Sequence, residues 1–187
     1  SSLPDGTLTF SVTLTDTAGN TGSAATATAT FDSAPLGYTI TANDSLVNAI
    51  EAVATGFTFA GAEVGATYSY TITSDAGGTP VSGSGTIASA TEQVTGIDVS
   101  SLPDGTLTYS ATLTDTSGNT GNVVTATATL DKTAPAGYSI TADDSLIGGN
   151  EAAAASFTFA GAEIGATYSY TITSDAGGTP VSGSGTI

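Results

Sequence analysis

Thr106-Leu107-Thr108-Tyr109-Ser110-Ala111-Thr112-Leu113-Thr114 is the stretch on which the fold turns. Leu107, Tyr109, Ala111 and Leu113 alternate without a break with Thr and Ser. A period of two places the four apolar side chains on one face of an extended strand and the hydroxyls on the other. Such a strand buries one face and wets the other, as antiparallel sheets do. The pattern returns over residues 122–130, where Val124, Ala126, Ala128 and Leu130 alternate with polar neighbours, and over 67–73, where Tyr68, Tyr70 and Ile72 share a face. Phe57 and Phe59 share a face within 56–60. Further strands are predicted at 37–41, 80–87 and 91–97. Ser74-Asp75-Ala76-Gly77-Gly78 reads as a hairpin turn, because its glycines reach positive φ without strain.

The same residues come round again. Ser2-Leu3-Pro4-Asp5-Gly6-Thr7-Leu8-Thr9 returns as Ser101-Leu102-Pro103-Asp104-Gly105-Thr106-Leu107-Thr108, 99 positions later. Asp16-Thr17-Ala18-Gly19-Asn20 returns as Asp115-Thr116-Ser117-Gly118-Asn119. Beyond Asp32-Ser33-Ala34-Pro35, which matches Asp131-Lys132-Thr133-Ala134-Pro135, the offset becomes 100. From Ala60 to Ile87 the match to Ala160 to Ile187 has a single change, Val64 to Ile164. The indel and the proline mark a linker, since proline interrupts strand pairing and stiffens the chain. Residues 36–131 then form one whole repeat, 1–32 the last part of a preceding one, and 136–187 the first part of a following one. Seven short strands in a repeat of about 100 residues predict an all-β chain of tandem immunoglobulin-like seven-strand β-sandwich repeats. The alanine-rich strand at 122–130 predicts a thin core.

Composition removes several function classes. The chain has no Cys, so disulfides and thiolate chemistry are excluded. One basic residue stands against 17 acidic ones, for a net charge of -16, which leaves no basic footprint for nucleic acid. No apolar run approaches the length of a membrane span. With 39% hydrophobic and only 10% charged residues, the acidity does not signal disorder. There is no His to serve as a base for a Ser or Thr nucleophile, and Lys132 stands in a linker whose other copy lacks it. Glycoside hydrolysis needs two carboxylates in an aromatic-lined cleft, whereas these aromatics lie on core faces. Gly83-Ser84-Gly85 and Gly77-Gly78 lack the Lys and helix start of a phosphate loop. The chain is therefore not expected to be an enzyme.

Taken together, Asp143-Asp144-Ser145-Leu146-Ile147 with Asn150-Glu151, the run Phe157 to Tyr168, Leu102 to Tyr109, Thr114 to Thr120 and Asp131 to Pro135 resemble the bacterial Ig-like (BIg) extender repeats. These belong to giant type I-secreted adhesins of the RTX and biofilm-associated kinds. The resemblance covers the whole chain. It implies a calcium-stabilised spacer at the bacterial cell surface that holds a distal binding region away from the cell. The partners it implies are neighbouring repeats of the same chain. Other copies joined head to tail are a second class of partner, and nucleic acid and direct membrane insertion are not expected.

Calcium takes six to eight hard oxygen ligands. Alternating strand direction sorts the acids by end. The trailing end of the whole repeat carries Asp44, Glu51, Asp98, Asp104 and Asp131. The leading end carries Glu63 and Asp115, with Asn119. At a junction, the trailing end of one repeat meets the leading end of the next, so most acids gather there. Asp75 and Glu92 are read as the exceptions, and Asp75 as a turn residue. The candidate metal ligands are Asp131, Asp104, Asp143, Asp144, Glu151, Asp115, Asp32, Asp5, Asp44, Glu51 and Asp16. Asp131, Asp104 and the Asp143/Asp144 segment rank first, because they combine junction position with the resemblance. Three plainer roles stay open: a turn before Gly105 for Asp104, an Asx turn for Asp115 to Asn119, and an acidic surface that keeps the chain soluble. The segment 143–151 lacks EF-hand spacing.

A spacer is one reading of these observations. A self-assembling extracellular filament or biofilm matrix protein is another, because the pieces 1–32 and 136–187 cannot each close a sandwich. Both are expected to be ordered by neighbouring material, from the same chain or from a second copy.

Overall fold

The computed structural model describes residues 3–187, so the first two positions of the 1–32 piece lie outside the described residues. The chain divides into two compact units, Ser1–Lys132 and Thr133–Ile187. The first begins with a hairpin pair, β1 (Gly6–Val12) and β2 (Ala25–Phe31). Then come β3 (Thr39–Ala42), β4 (Leu46–Val47), a 3-10 turn at Glu51–Val53, β5 (Thr55–Ala60), β6 (Thr67–Ser74), β7 (Gly77–Thr86), β8 (Gln93–Ile97), β9 (Gly105–Thr114) and β10 (Val124–Leu130). The second unit holds β11 (Ser139–Ala142), β12 (Phe157–Ala160), β13 (Thr167–Ile172) and β14 (Val181–Thr186). The fold is all-β, and among the described residues no helix is long and apolar enough to cross a membrane.

Strands β3 to β10 build two sheets, one of order β3-β5-β8 and one of order β4-β10-β9-β6-β7. All their pairings are antiparallel except β4 with β10. The alternation read from residues 106–114 is realised on β9, where Leu107, Tyr109, Ala111 and Leu113 are buried and the residues between them are not. These side chains meet Ile40, Phe57, Phe59, Val94 and Ile97 of the smaller sheet in one core. Phe57 lies edge-on to Tyr70 at 5.5 Å and to Tyr109 at 6.1 Å between ring centres. Each large side chain removed from water contributes about 1.5–3 kcal/mol. The core thins at the start of β10, where Val124 and Ala126 are only partly buried.

Strand β7 starts at Gly77, before the predicted 80–87, and pairs only with β6. It is therefore an edge strand, which is why Pro80, with no N–H to donate, is accommodated within it. Tyr68 and Tyr70 lie across the glycines opposite them, Gly85 and Gly83. A Cβ at Gly83 would stand 2.5 Å from the Tyr70 hydroxyl, so the glycine makes room for the ring. The short β4 and the 3-10 turn come in addition to the seven predicted strands. The turn is capped reciprocally. Asn48 Oδ1 accepts from the Ile50 and Glu51 N–H groups, and Glu51 Oε2 accepts from Asn48 N–H at 3.0 Å.

The remaining strands repeat these registers. Gly6 faces Phe31 as Gly105 faces Leu130, and Ser139 faces Ala160 as Thr39 faces Ala60. Phe157 and Phe159 keep the edge-on contact of Phe57 and Phe59. These strands pair in hairpin or antiparallel fashion within their own pieces. Burial is what they lack: Phe10 is 59% exposed and Ile140 60%, whereas Tyr109 and Ile40 are buried.

Candidate functional site

The turn after β9 is organised around one carboxylate. Asp115 is buried. Its Oδ1 accepts from the Ser117 N–H at 2.9 Å and the Asn119 N–H at 2.8 Å, and its Oδ2 from Asn119 Nδ2 at 2.8 Å. Burial pushes the Asp115 carboxyl up, but the hydrogen bonds from Asn119, Ser117 and Gly118 together outweigh it and hold the group below its usual range. The Asx turn read from the sequence is thus present. Asp16 forms the same turn with Asn20 and Ala18 in the preceding piece, and the Asn20 side chain above all lowers its carboxyl.

This turn also receives the end of the preceding piece. Ser117 Oγ donates to Asp32 Oδ2 at 2.6 Å, and Asn119 Nδ2 donates to the Asp32 carbonyl at 3.1 Å. Ser33 Oγ donates to Asp5 Oδ2 at 2.9 Å. Glu63, in the loop between β5 and β6, completes the group. Its carboxyl is raised, first by burial and then by the negative charges of Asp32, Asp115 and Asp5. Trailing-end acids of one repeat and leading-end acids of the next therefore share one electrostatic neighbourhood. Glu63 was recognised as a leading-end acid but not among the candidate ligands. Its loop position alone did not reveal that the charges of three other carboxylates act on it.

At the trailing end of the complete repeat, the Asp131 N–H donates to the Val47 carbonyl. Lys132 Nζ lies 3.9 Å from Asp104 Oδ1. Asp44 is exposed, and its charge adds to the burial that raises the Tyr109 hydroxyl. Glu51 serves the cap described above. Asp75 belongs to this end as well, which corrects its reading as an exception: its Oδ1 accepts from Thr106 N–H at 2.8 Å and binds the β6–β7 turn to the start of β9. Glu92 lies by the leading end, where Phe59 N–H donates to its carbonyl and its Oε2 accepts from the Ala88 and Ser89 N–H groups.

In the second unit, Asp143 accepts from Ser156 Oγ at 2.6 Å and Thr158 Oγ1 at 2.7 Å, and these hydroxyls lower its carboxyl. The complete repeat has Asn43 and Gly56 at the matching positions, so carboxylate and hydroxyl change together. Glu151 Oε2 accepts from Gly148 N–H at 2.7 Å, half of the cap made by Glu51. Asp144 is exposed. Among the described residues, no three acidic side chains converge closely enough to hold a metal ion by themselves.

No family model matches the chain, and no curated protein does. Among solved structures it is similar to a tetra-tandem repeat in the extending region of a large adhesion protein. The identity is 28% and the TM-score 0.47, over 100% of this chain and 46% of that one. It is also similar to a 1.5-MDa bacterial ice-binding adhesin, at 24% identity and a TM-score of 0.40, over 96% of this chain and 73% of that one. The chain thus spans less than half of the first of these structures.

Proposed function

We propose that the chain is a structural extender of a large bacterial surface adhesin, built of immunoglobulin-like repeats and projecting a distal binding region from the cell. One observation carries this reading: the trailing end of one repeat is hydrogen bonded to the leading end of the next, through Asp32 to Ser117 and Asn119. A contact of that kind at each junction turns a string of domains into a rod. A nine-residue strand spans about 30 Å, so length grows with repeat number. Secretion by a type I system and a place in biofilm belong to the same reading.

Calcium is the proposed stiffening agent. Asp5, Asp32, Glu63 and Asp115 repel one another across the junction, and a divalent ion among them reverses the sign of that interaction. Backbone carbonyls and water complete a calcium shell, so convergence of three carboxylates is not required. The experiment is thermal unfolding and small-angle scattering of the whole chain in calcium and in chelator. Calcium is expected to raise the melting temperature and lengthen the particle. Coincident curves in the two conditions reject the calcium reading.

A filament or matrix protein is the second reading. It requires concentration-dependent assembly in sedimentation velocity, and a chain that stays monomeric at high concentration rejects it.

A further inference from the structure

Lys132 is the single basic residue of the chain, and its ammonium is not left to solvent. Nζ donates to the Ser100 carbonyl at 2.7 Å and the Leu102 carbonyl at 2.6 Å, and lies 3.9 Å from Asp104 Oδ1. Two backbone carbonyls and a carboxylate are the donor set that a hard cation takes. The carbonyls belong to the turn between β8 and β9. Leu102 ties that turn to the core with a buried side chain, and its N–H donates to the Val99 carbonyl. The oxygen cage is thus held by the sandwich, and the ammonium is brought to it by the residue that follows Asp131.

The preceding copy is built differently. Its linker, Asp32-Ser33-Ala34-Pro35, is one residue shorter and has no lysine. Ser33 Oγ reaches Asp5, the counterpart of Asp104. A hydroxyl supplies one proton and no charge, where an ammonium supplies three protons and a full charge.

We infer that Lys132 is a tethered cation: its ammonium fills a cation site formed by the Ser100 and Leu102 carbonyls and Asp104, and so fixes the start of the linker without a dissolved ion. Junctions in the array then fall into two chemical classes. A linker with lysine brings its own cation, and a linker with serine leaves its trailing-end carboxylates to an external one. Only the second class rests on the calcium reading above. A partly exposed ion pair contributes little to global stability, so the effect is local.

The test is amide hydrogen exchange on the whole chain, comparing the wild type with Lys132→Met, which keeps the apolar stem, and Lys132→Gln. In chelator, both variants are expected to lose at least about fivefold in protection at Val99 and Leu102, with the β6 and β9 amides unchanged. Added calcium is expected to restore this protection in the variants and to leave the wild type unaltered there. Equal protection in wild type and variants overturns the tethered cation. A loss that calcium does not reverse overturns the assignment of the cage as a cation site. The calcium reading fails separately, if calcium leaves the scattering and melting of the wild type unmoved while the variants behave as described.

Discussion

Asp32, the first residue of one linker, accepts a hydrogen bond from Ser117 Oγ of the next repeat at 2.6 Å. The acceptor is a carboxylate, so the bond is charge-assisted and stronger than a neutral one. It joins the β1–β2 piece to the complete repeat without entering the core of the latter. Its energy therefore acts on the angle between domains more than on the stability of either.

Ser117→Ala tests this separation. The turn itself survives alanine, because Ala18 occupies the matching position of the Asp16 turn with all its hydrogen bonds formed. The substitution is expected to cost less than about 1 kcal/mol in urea unfolding. It is also expected to increase exchange at residues 31–34 and to broaden the distance distribution in small-angle scattering. An unchanged distribution counts against a junction role for Ser117.

The pH dependence has two limbs of opposite sign. Glu63 is raised in the folded state, so its ionised form is a penalty, complete above the raised pKa and relieved as pH falls through it toward the usual 4.5. Asp115 is lowered, so its contribution is present above the usual 3.8 and disappears as pH falls further. The urea midpoint is expected to rise on mild acidification and then to drop. Glu63→Gln is expected to raise the midpoint at neutral pH and to remove the rise, leaving the acid limb. A wild-type midpoint that falls monotonically from neutral pH would contradict this assignment.

Tyr38 offers an internal control. Its hydroxyl accepts from the Leu113 N–H at 3.1 Å and donates to the Asn122 carbonyl, fastening both sides of the β9–β10 turn. Tyr38→Phe leaves the Leu113 N–H without that acceptor beside a buried side chain, at a cost of about 1–3 kcal/mol. Tyr138, its counterpart, is 56% exposed, and Tyr138→Phe is expected to be neutral. Chemical denaturation of the two variants decides, and equal effects would refute the account.

Gly83→Ala places a methyl within 2.7 Å of the Tyr70 ring. The ring must leave the strand surface and disturb its edge contact with Phe57. A loss of about 1–3 kcal/mol is expected, as for other overpacked sites. Pairing with Tyr70→Ala should recover part of the glycine's effect in a double-mutant cycle.

The strands were legible because their signal is local. Leu107 to Leu113 alternate, and a side chain's face follows from parity alone. The partner of β7 was legible too, because the hairpin turn read at Ser74 to Gly78 joins it to β6. The cap between Asn48 and Glu51 was present as a spacing, Asn-x-x-Glu, but lay in a stretch read as loop. Sorting the acids by end followed from strand direction, and the charges of Asp32, Asp115 and Asp5 do raise the Glu63 carboxyl. Asp75 was misplaced although the same alternation puts the β6–β7 turn at the trailing end, beside the start of β9.

By itself the sequence determined the repeat, the faces of its strands and the ends to which its carboxylates belong. All three depend on spacing along the chain. Only the tertiary structure decided that Ser117 reaches Asp32 and that Lys132 enters a cage of carbonyls. Those contacts join segments 30 to 85 residues apart, and their donors and acceptors become neighbours only when two sheets close on one core.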